Sequence, residues 1–408
     1  MRNRPTVALL IAGTFLASLL SAQRPRGPEI LVSSTAGEAW PQVAMAANGD
    51  FVVTWQAGLE SRGQIPKVWY RLFRADGTPK GKPQRVSNGR SSEKYAKLAV
   101  GADGSFVIVW EGGPFEDSSV FGRRFNANGS PRGGRFRLNS NTAGIQYAPA
   151  VALAPDGGFV VAWTSQPFYY SDEISDVYAR RFDAAGQPLG PDFLVNTTTS
   201  DEQNSPQVAV DASGSFVIGW VSWNGEGEFF DIMARRFARD GTPQDDEFQV
   251  NSGENTGTSQ YEFALGMAAD GAFVILWTDA SDFQNFPNGF FAQRFTVSGE
   301  PIGEPFQVNA SPLTIRRDPA IAVAADGSFF AAWSSYASGP RPPGPPSYSI
   351  VGRRFASDGT PRGGELRIDL SSAGKAVFPA VALGSDGRGV VVWRQFDIGG
   401  IFARLLVP

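Results

Sequence analysis

Three short stretches of this chain bring aromatic rings and carboxylates together. They are Phe168-Tyr-Tyr-Ser-Asp-Glu-Ile-Ser-Asp176, Trp223-Asn-Gly-Glu-Gly-Glu-Phe-Phe-Asp231, and the run holding Asp279, Asp282, Phe283 and Phe286. Rings flanked by acids suit stacking on a sugar face, capture of a cationic partner, or coordination of a hard metal by oxygen. The ligand-binding candidates are Tyr169, Tyr170, Asp172, Trp223, Glu226, Glu228, Asp279 and Phe283. Asp172, Glu173 and Asp176 are close enough in sequence to make calcium the one cofactor to consider, although no Asp-x-Asp-x-Asp-Gly loop is present.

What the chain lacks narrows the chemistry further. It contains no His and no Cys. That excludes a Ser-His-Asp triad, a His general base, thiol nucleophiles, disulfides and thiolate metal sites. No catalytic residue stands out. An enzyme built from this sequence would rely on carboxylates, and paired carboxylates hydrolyse glycosides without His. Glu226, Glu228, Asp172 and Asp279 are the acids such an enzyme would use.

These stretches sit in a chain dominated by one repeat. A Phe-Val-Val-x-Trp string recurs with its Trp at 55, 110, 163, 220, 277, 333 and 393, spaced by 53 to 60 residues. Asn48-Gly49, Asp103-Gly104, Asp156-Gly157, Asp270-Gly271, Asp326-Gly327 and Asp386-Gly387 precede the Trp, with Asp211 to Gly214 in the fourth copy. Such pairs supply the positive φ of tight hairpins. Upstream lies a short Ala-rich segment that often opens with Pro, as in Pro149-Ala-Val-Ala-Leu153. Downstream come Val177-Tyr-Ala-Arg-Arg-Phe182 and its equivalents, a Gly turn, and Phe193-Leu-Val-Asn196, matched at Phe136, Phe248 and Phe306.

Four short strands, seven times over, predict an all-β, seven-bladed β-propeller with four antiparallel strands per blade. The seventh copy stops at its third strand, Ile401 to Pro408, and Glu29-Ile-Leu-Val-Ser33 resembles the missing fourth. This N-terminal strand should complete the last blade and close a propeller spanning 29–408, removing open sheet edges. The loops between second and third strands are the least repetitive parts and should share a face with those between blades. All three aromatic–acidic stretches fall in them. The recurring Arg71, Arg123, Arg180, Arg235, Arg353 and Arg404, replaced by Gln293 in the fifth copy, belong to the blade and should stack on aromatics or bind carbonyls between blades.

The combination Asp-Gly-x-Phe-Val-Val-x-Trp, Ala-Arg-Arg-Phe and Phe-x-Val-Asn resembles repeats of secreted bacterial proteins, including large calcium-dependent adhesin-type surface proteins. The resemblance covers nearly the whole mature chain and implies a fold without implying one activity. The sialidase Asp-box is only superficially similar, because Asp and Gly are adjacent here.

Residues 1–22 read as a signal peptide, with Arg2 and Arg4, an apolar core from Val7 to Leu20, and small residues at Ser21-Ala22. The protein is expected to be secreted or periplasmic, with no stable membrane span after cleavage. Net charge is -4, so nucleic acid is not an expected partner. Charge is uneven: residues 61–100 hold ten Lys and Arg against two acids, and residues 166–300 hold 21 acids against six Arg. The Gly339-Pro-Arg-Pro-Pro-Gly-Pro-Pro346 insert should form a stiff surface loop. The leading reading is an exported, monomeric, non-catalytic binding or scaffold propeller that holds a glycan or protein on the variable loop face. A glycan-active enzyme and a structural module of a cell-surface assembly are the alternatives.

Overall fold

The computed structural model describes residues 24–34, 37–58, 65–87, 89, 91–114, 117–167, 174–200, 202–223, 230–251, 262–279, 289–310, 314–337, 348–370 and 374–407. Residues 1–22, expected to be a signal peptide, and the Pro-rich 339–346 insert lie outside them. Seven four-stranded antiparallel sheets form a closed ring of blades. In blade 3 the strands run Ile145–Leu153 (a), Phe159–Gln166 (b), Asp176–Phe182 (c) and Phe193–Leu194 (d). Strand a of every blade contacts strand a of the blades on either side, so it lines the axis.

Alternation along strand b explains why these sequences make blades. Both faces are covered by neighbouring sheets, and strand b is buried along nearly its whole length, as in Phe51–Ala57. The apolar contacts form seven clusters, one at each seam between blades. Each repeat Trp plugs the seam toward the preceding blade, at 0–1 % exposure. Burying rings of that size contributes several kcal/mol per blade. In blades 1, 3 and 4 the indole also donates to a side chain on strand a or just before it: Trp55 to Glu38, Trp163 to Gln146 and Trp220 to Gln203, at 2.7–3.0 Å.

The Asn ending each Phe-x-Val-Asn string has a defined task. Strand d pairs over only two residues, shorter than the four-residue string suggests. The Asn196 side chain then takes over, its Oδ1 accepting Val177 N–H at 2.8 Å. Asn139, Asn251, Asn309 and Asp369 do the same in their blades.

The seventh blade has the order Arg24–Ser33, Ile401–Val407, Gly389–Gln395, Ala376–Leu383. The N-terminal strand therefore closes the ring. It begins at Arg24 rather than Glu29, because Arg24–Arg26 pair with Leu405–Val407 beyond an irregularity at Gly27, whose φ is 71°.

The recurrent arginines fasten the seams. Each reaches back to a carbonyl on the outer strand of the preceding blade: Arg71 to Val32, Arg123 to Val86, Arg180 to Leu138, Arg235 to Val195, Arg353 to Val308 and Arg404 to Ile368, at 2.7–3.1 Å. Five of these guanidinium groups also lie 5.5–5.7 Å over a Phe ring two residues on.

Candidate functional site

Strand a does not enter its blade smoothly. In six blades its ladder with strand b shifts register, between Ala39 and Gln42, Lys94 and Lys97, Tyr147 and Ala150, Asn204 and Gln207, Arg317 and Ala320, and Val377 and Ala380. At each shift one non-glycine residue has a positive φ of 48–58°: Trp40, Tyr95, Ala148, Ser205, Asp318 and Phe378. Such conformations store on the order of 1–3 kcal/mol each. A bulge re-aims the side chain it carries. Blade 5 starts its strand a at Phe263, and Glu262 stands just before it in the corresponding place.

These seven residues form a ring around the axis, at the end of strand a that faces the b–c and d–a loops. All seven are exposed or only partly buried, at the end of the axis where a propeller has the mouth of its central channel. The ring is not sevenfold in chemistry. Phe378, Trp40 and Tyr95 make a continuous aromatic arc across blades 7, 1 and 2, with ring centroids 5.9 and 5.2 Å apart. Blades 3 and 4 contribute small side chains, Ala148 and Ser205. Blades 5 and 6 contribute two acids, Glu262 and Asp318.

The two acids are coupled. Glu262 Oε2 accepts the Asp318 N–H at 2.7 Å, and Asp318 Oδ2 accepts the Phe378 N–H at 3.3 Å and the Ser334 hydroxyl at 2.7 Å. Burial, reinforced by the charge of Asp318, pushes the Glu262 carboxyl up to about 7. The bond from Asp318 N–H and the positive charge of Arg317 oppose that rise. Asp318 is also raised by burial, against the Ser334 bond, the Phe378 amide and Arg317. Around neutral pH, Glu262 therefore exchanges a proton readily beside a second carboxyl.

More titratable groups stand near the small-residue side. Burial pushes Tyr147 up to about 12, with the charges of Glu202 and Glu111 adding to the effect. Burial raises Glu111, and Lys94 opposes it.

The bulge amides have a common need. In four of the six the N–H turns toward the preceding blade, where a side chain accepts it: Gln56 for Tyr95 and Thr164 for Ser205, both at 3.1 Å, are two of them. In blades 5 and 6 the ring acids themselves meet this need.

None of the residues singled out from the sequence is a member of this ring, and most fall outside the described residues. Tyr169, Tyr170, Asp172, Glu173, Glu226, Glu228 and Phe283 fall outside the described residues, and Asp279 is described by its backbone alone, paired with Gly289. Trp223 ends strand b of blade 4 at 37 % exposure, its N–H bonded to Glu202 O at 2.9 Å. Asp176 accepts the Asn196 amide at 2.7 Å. Asp231 and Asn251 repeat that pair at 2.8 Å, so it belongs to the blade design. Among the described residues no three His, Cys, Asp or Glu side chains gather as a metal site. The sequence marks the channel ring only by its neighbours: five of its members directly precede Pro41, Pro149, Pro206, Pro319 and Pro379.

The chain matches no family model and no curated relative by sequence. Solved structures share the fold. A protein of unknown function from Dyadobacter fermentans is 12 % identical with a TM-score of 0.53, covering 94 % of this chain and 97 % of that one. An α-L-arabinanase of Penicillium chrysogenum complexed with arabinobiose is 10 % identical with a TM-score of 0.51, covering 93 % and 97 %. A Hadza microbial sialidase is 10 % identical with a TM-score of 0.51, covering 84 % and 73 %. The class these observations define is a seven-bladed β-propeller.

Proposed function

We propose that the protein is a glycan-active propeller, exported from the cell, that receives a carbohydrate at the channel mouth and cleaves it with Glu262 and Asp318. The observation that carries this reading is the pairing of a carboxyl held near 7 with a second carboxyl, on the same ring as an aromatic arc that begins at the neighbouring blade. Glycoside hydrolysis uses a pair of carboxyls, one of which starts protonated as the acid. Protonated Glu262 donates to the glycosidic oxygen as the C–O bond breaks. The Asp318 carboxyl beside it faces the positive charge that grows on the sugar, and water adds to the anomeric carbon as its proton passes to Glu262. Phe378, Trp40 and Tyr95 supply the stacking surface, and Ala148 and Ser205 leave room for the chain. Neighbours that include an arabinanase and a sialidase support a polysaccharide as the class of substrate.

The test is reducing-end release from a panel of plant and bacterial polysaccharides by the purified mature protein. Turnover lost in Glu262→Gln with binding kept supports the reading. Turnover that survives both Glu262→Gln and Asp318→Asn overturns it.

A second reading is glycan binding without turnover. It is favoured by the fact that both acids accept bulge amides, the task that Gln56 and Thr164 perform in other blades. Saturable glycan binding with no product would select it. In either case the aromatic and acidic b–c loops, with Tyr169, Tyr170, Asp172, Trp223, Glu226, Glu228, Asp279 and Phe283, would extend the binding face.

A further inference from the structure

One seam lacks the arginine that fastens the others. In blade 5 the place is taken by Gln293, which is 2 % exposed. Its Nε2 bonds Gly303 O at 3.0 Å, the carbonyl ten residues on. The arginine Nε makes the same bond in blades 1, 2, 3, 4 and 6. The glutamine is too short for the second bond. Among the described residues no side chain donates to the carbonyl of Val250, which corresponds to Val32, Val86, Leu138, Val195, Val308 and Ile368.

A second clip is missing at the same seam. In blades 3, 4, 6 and 7 an acid at the start of the outer strand accepts amides of the preceding blade: Asp192 from Ser140, Glu247 from Thr197, Glu365 from Ala310 and Glu29 from Leu370. Blade 5 has Pro305 there. The seam is still held at the axis by Gln207, which bonds Phe263 O and Leu265 N–H, and by Arg236 reaching Ser298 O.

Between these fastenings a cavity of about 520 Å³ opens on the outer side of the seam. Gln293, Val250, Phe295 and Gly303 line it, together with Asp246, Glu300 and Glu304, and no Lys or Arg does. Phe295 and Val250, the counterparts of the residues that a guanidinium touches in the sibling blades, thus stand in its wall, at 3 % and 2 % exposure. The cavity adds carboxylates. A planar guanidinium satisfies ring, carbonyl and acid at once, which an ammonium does less well.

We infer that this cavity receives the arginine side chain of a partner polypeptide. The bound side chain would stack on Phe295, donate to Val250 O and pair with Asp246, Glu300 or Glu304, fastening the blade 4–5 seam as an internal arginine fastens the rest.

The experiment titrates the mature protein with Nα-acetyl-arginine N-methylamide, the matching lysine and citrulline compounds, and agmatine, followed by amide chemical shifts. The arginine compound should bind saturably, with a Kd of about millimolar and at least tenfold more tightly than the lysine compound. Citrulline should not bind. In Gln293→Arg, whose own guanidinium fills the place, binding should vanish and the melting temperature should rise. Asp246→Asn combined with Glu304→Gln leaves the seam contacts in place and should weaken binding severalfold. Absent saturation, equal affinity for lysine, unchanged binding in Gln293→Arg, or agmatine binding tenfold more tightly than the blocked arginine would each overturn the inference.

Discussion

The carboxylate of Glu262 accepts the backbone N–H of Asp318 at 2.7 Å, so one ring acid holds the strained backbone on which the other is mounted. Because Glu262 is raised by burial and by Asp318, its ionisation opposes folding.

Stability should fall with rising pH. The ordinary value of Glu262 is 4.5 and its folded value about 7. Between these the folded chain binds the proton more tightly than the unfolded one. The stabilisation is full below about pH 4.5 and lost as pH rises through about 7, by on the order of 1–3 kcal/mol. Urea titrations at pH 5 and 8 should show this difference, and Glu262→Gln should shrink it. An equal slope in the variant would refute the assignment.

Cleavage should share that dependence. A general acid near 7 gives a kcat/KM that declines above about pH 7. Glu262→Gln and Asp318→Asn should each lower kcat on the order of 100-fold or more. Substrates with good leaving groups, which need little acid assistance, should be rescued in Glu262→Gln and not in Asp318→Asn.

Glycan affinity should depend on the aromatic arc. Trp40 touches both Tyr95 and Phe378, so Trp40→Ala removes the centre of the platform. Affinity measured by calorimetry should drop about tenfold or more, as expected for a central aromatic anchor. Trp223→Ala would report on the outer loops separately.

Ring closure can be weighed by one bond. Arg71 Nη1 donates to Val32 O at 2.8 Å, tying blade 1 to the N-terminal strand. Arg71→Leu should cost about 1–3 kcal/mol. Arg353→Leu, which removes the same bond inside the continuous part of the chain, should cost about as much. A negligible loss at Arg71 would show that the closing strand is held by its ladder alone.

The blades were legible because their signals repeat: a Trp every 53 to 60 residues, with hairpin turns and Arg-Arg-Phe strands in phase. The closing strand was legible because the seventh copy ends one strand short. The channel ring was not, since bulges depend on pairing between strands and leave no hydrophobic period to read. Its members also differ in type, so comparing copies hides them. Nor could sequence show that Glu262 and Asp318, 56 residues apart, meet through a backbone amide.

The closing strand also governs when the molecule can finish folding. Arg24 pairs with Val407, so the first described strand waits until residues 401–407 have been made. Blades 1 to 6 can assemble in order on a growing chain, but the final sheet joins segments separated by almost the whole sequence. Bringing such distant ends together is slow, because chain entropy is lost before any contact compensates it. Until then blade 7 presents an unpaired edge that invites pairing with another chain. A permuted gene starting at residue 35, with 24–34 appended after Val407, would make the last blade a local hairpin and should shorten the slowest refolding phase.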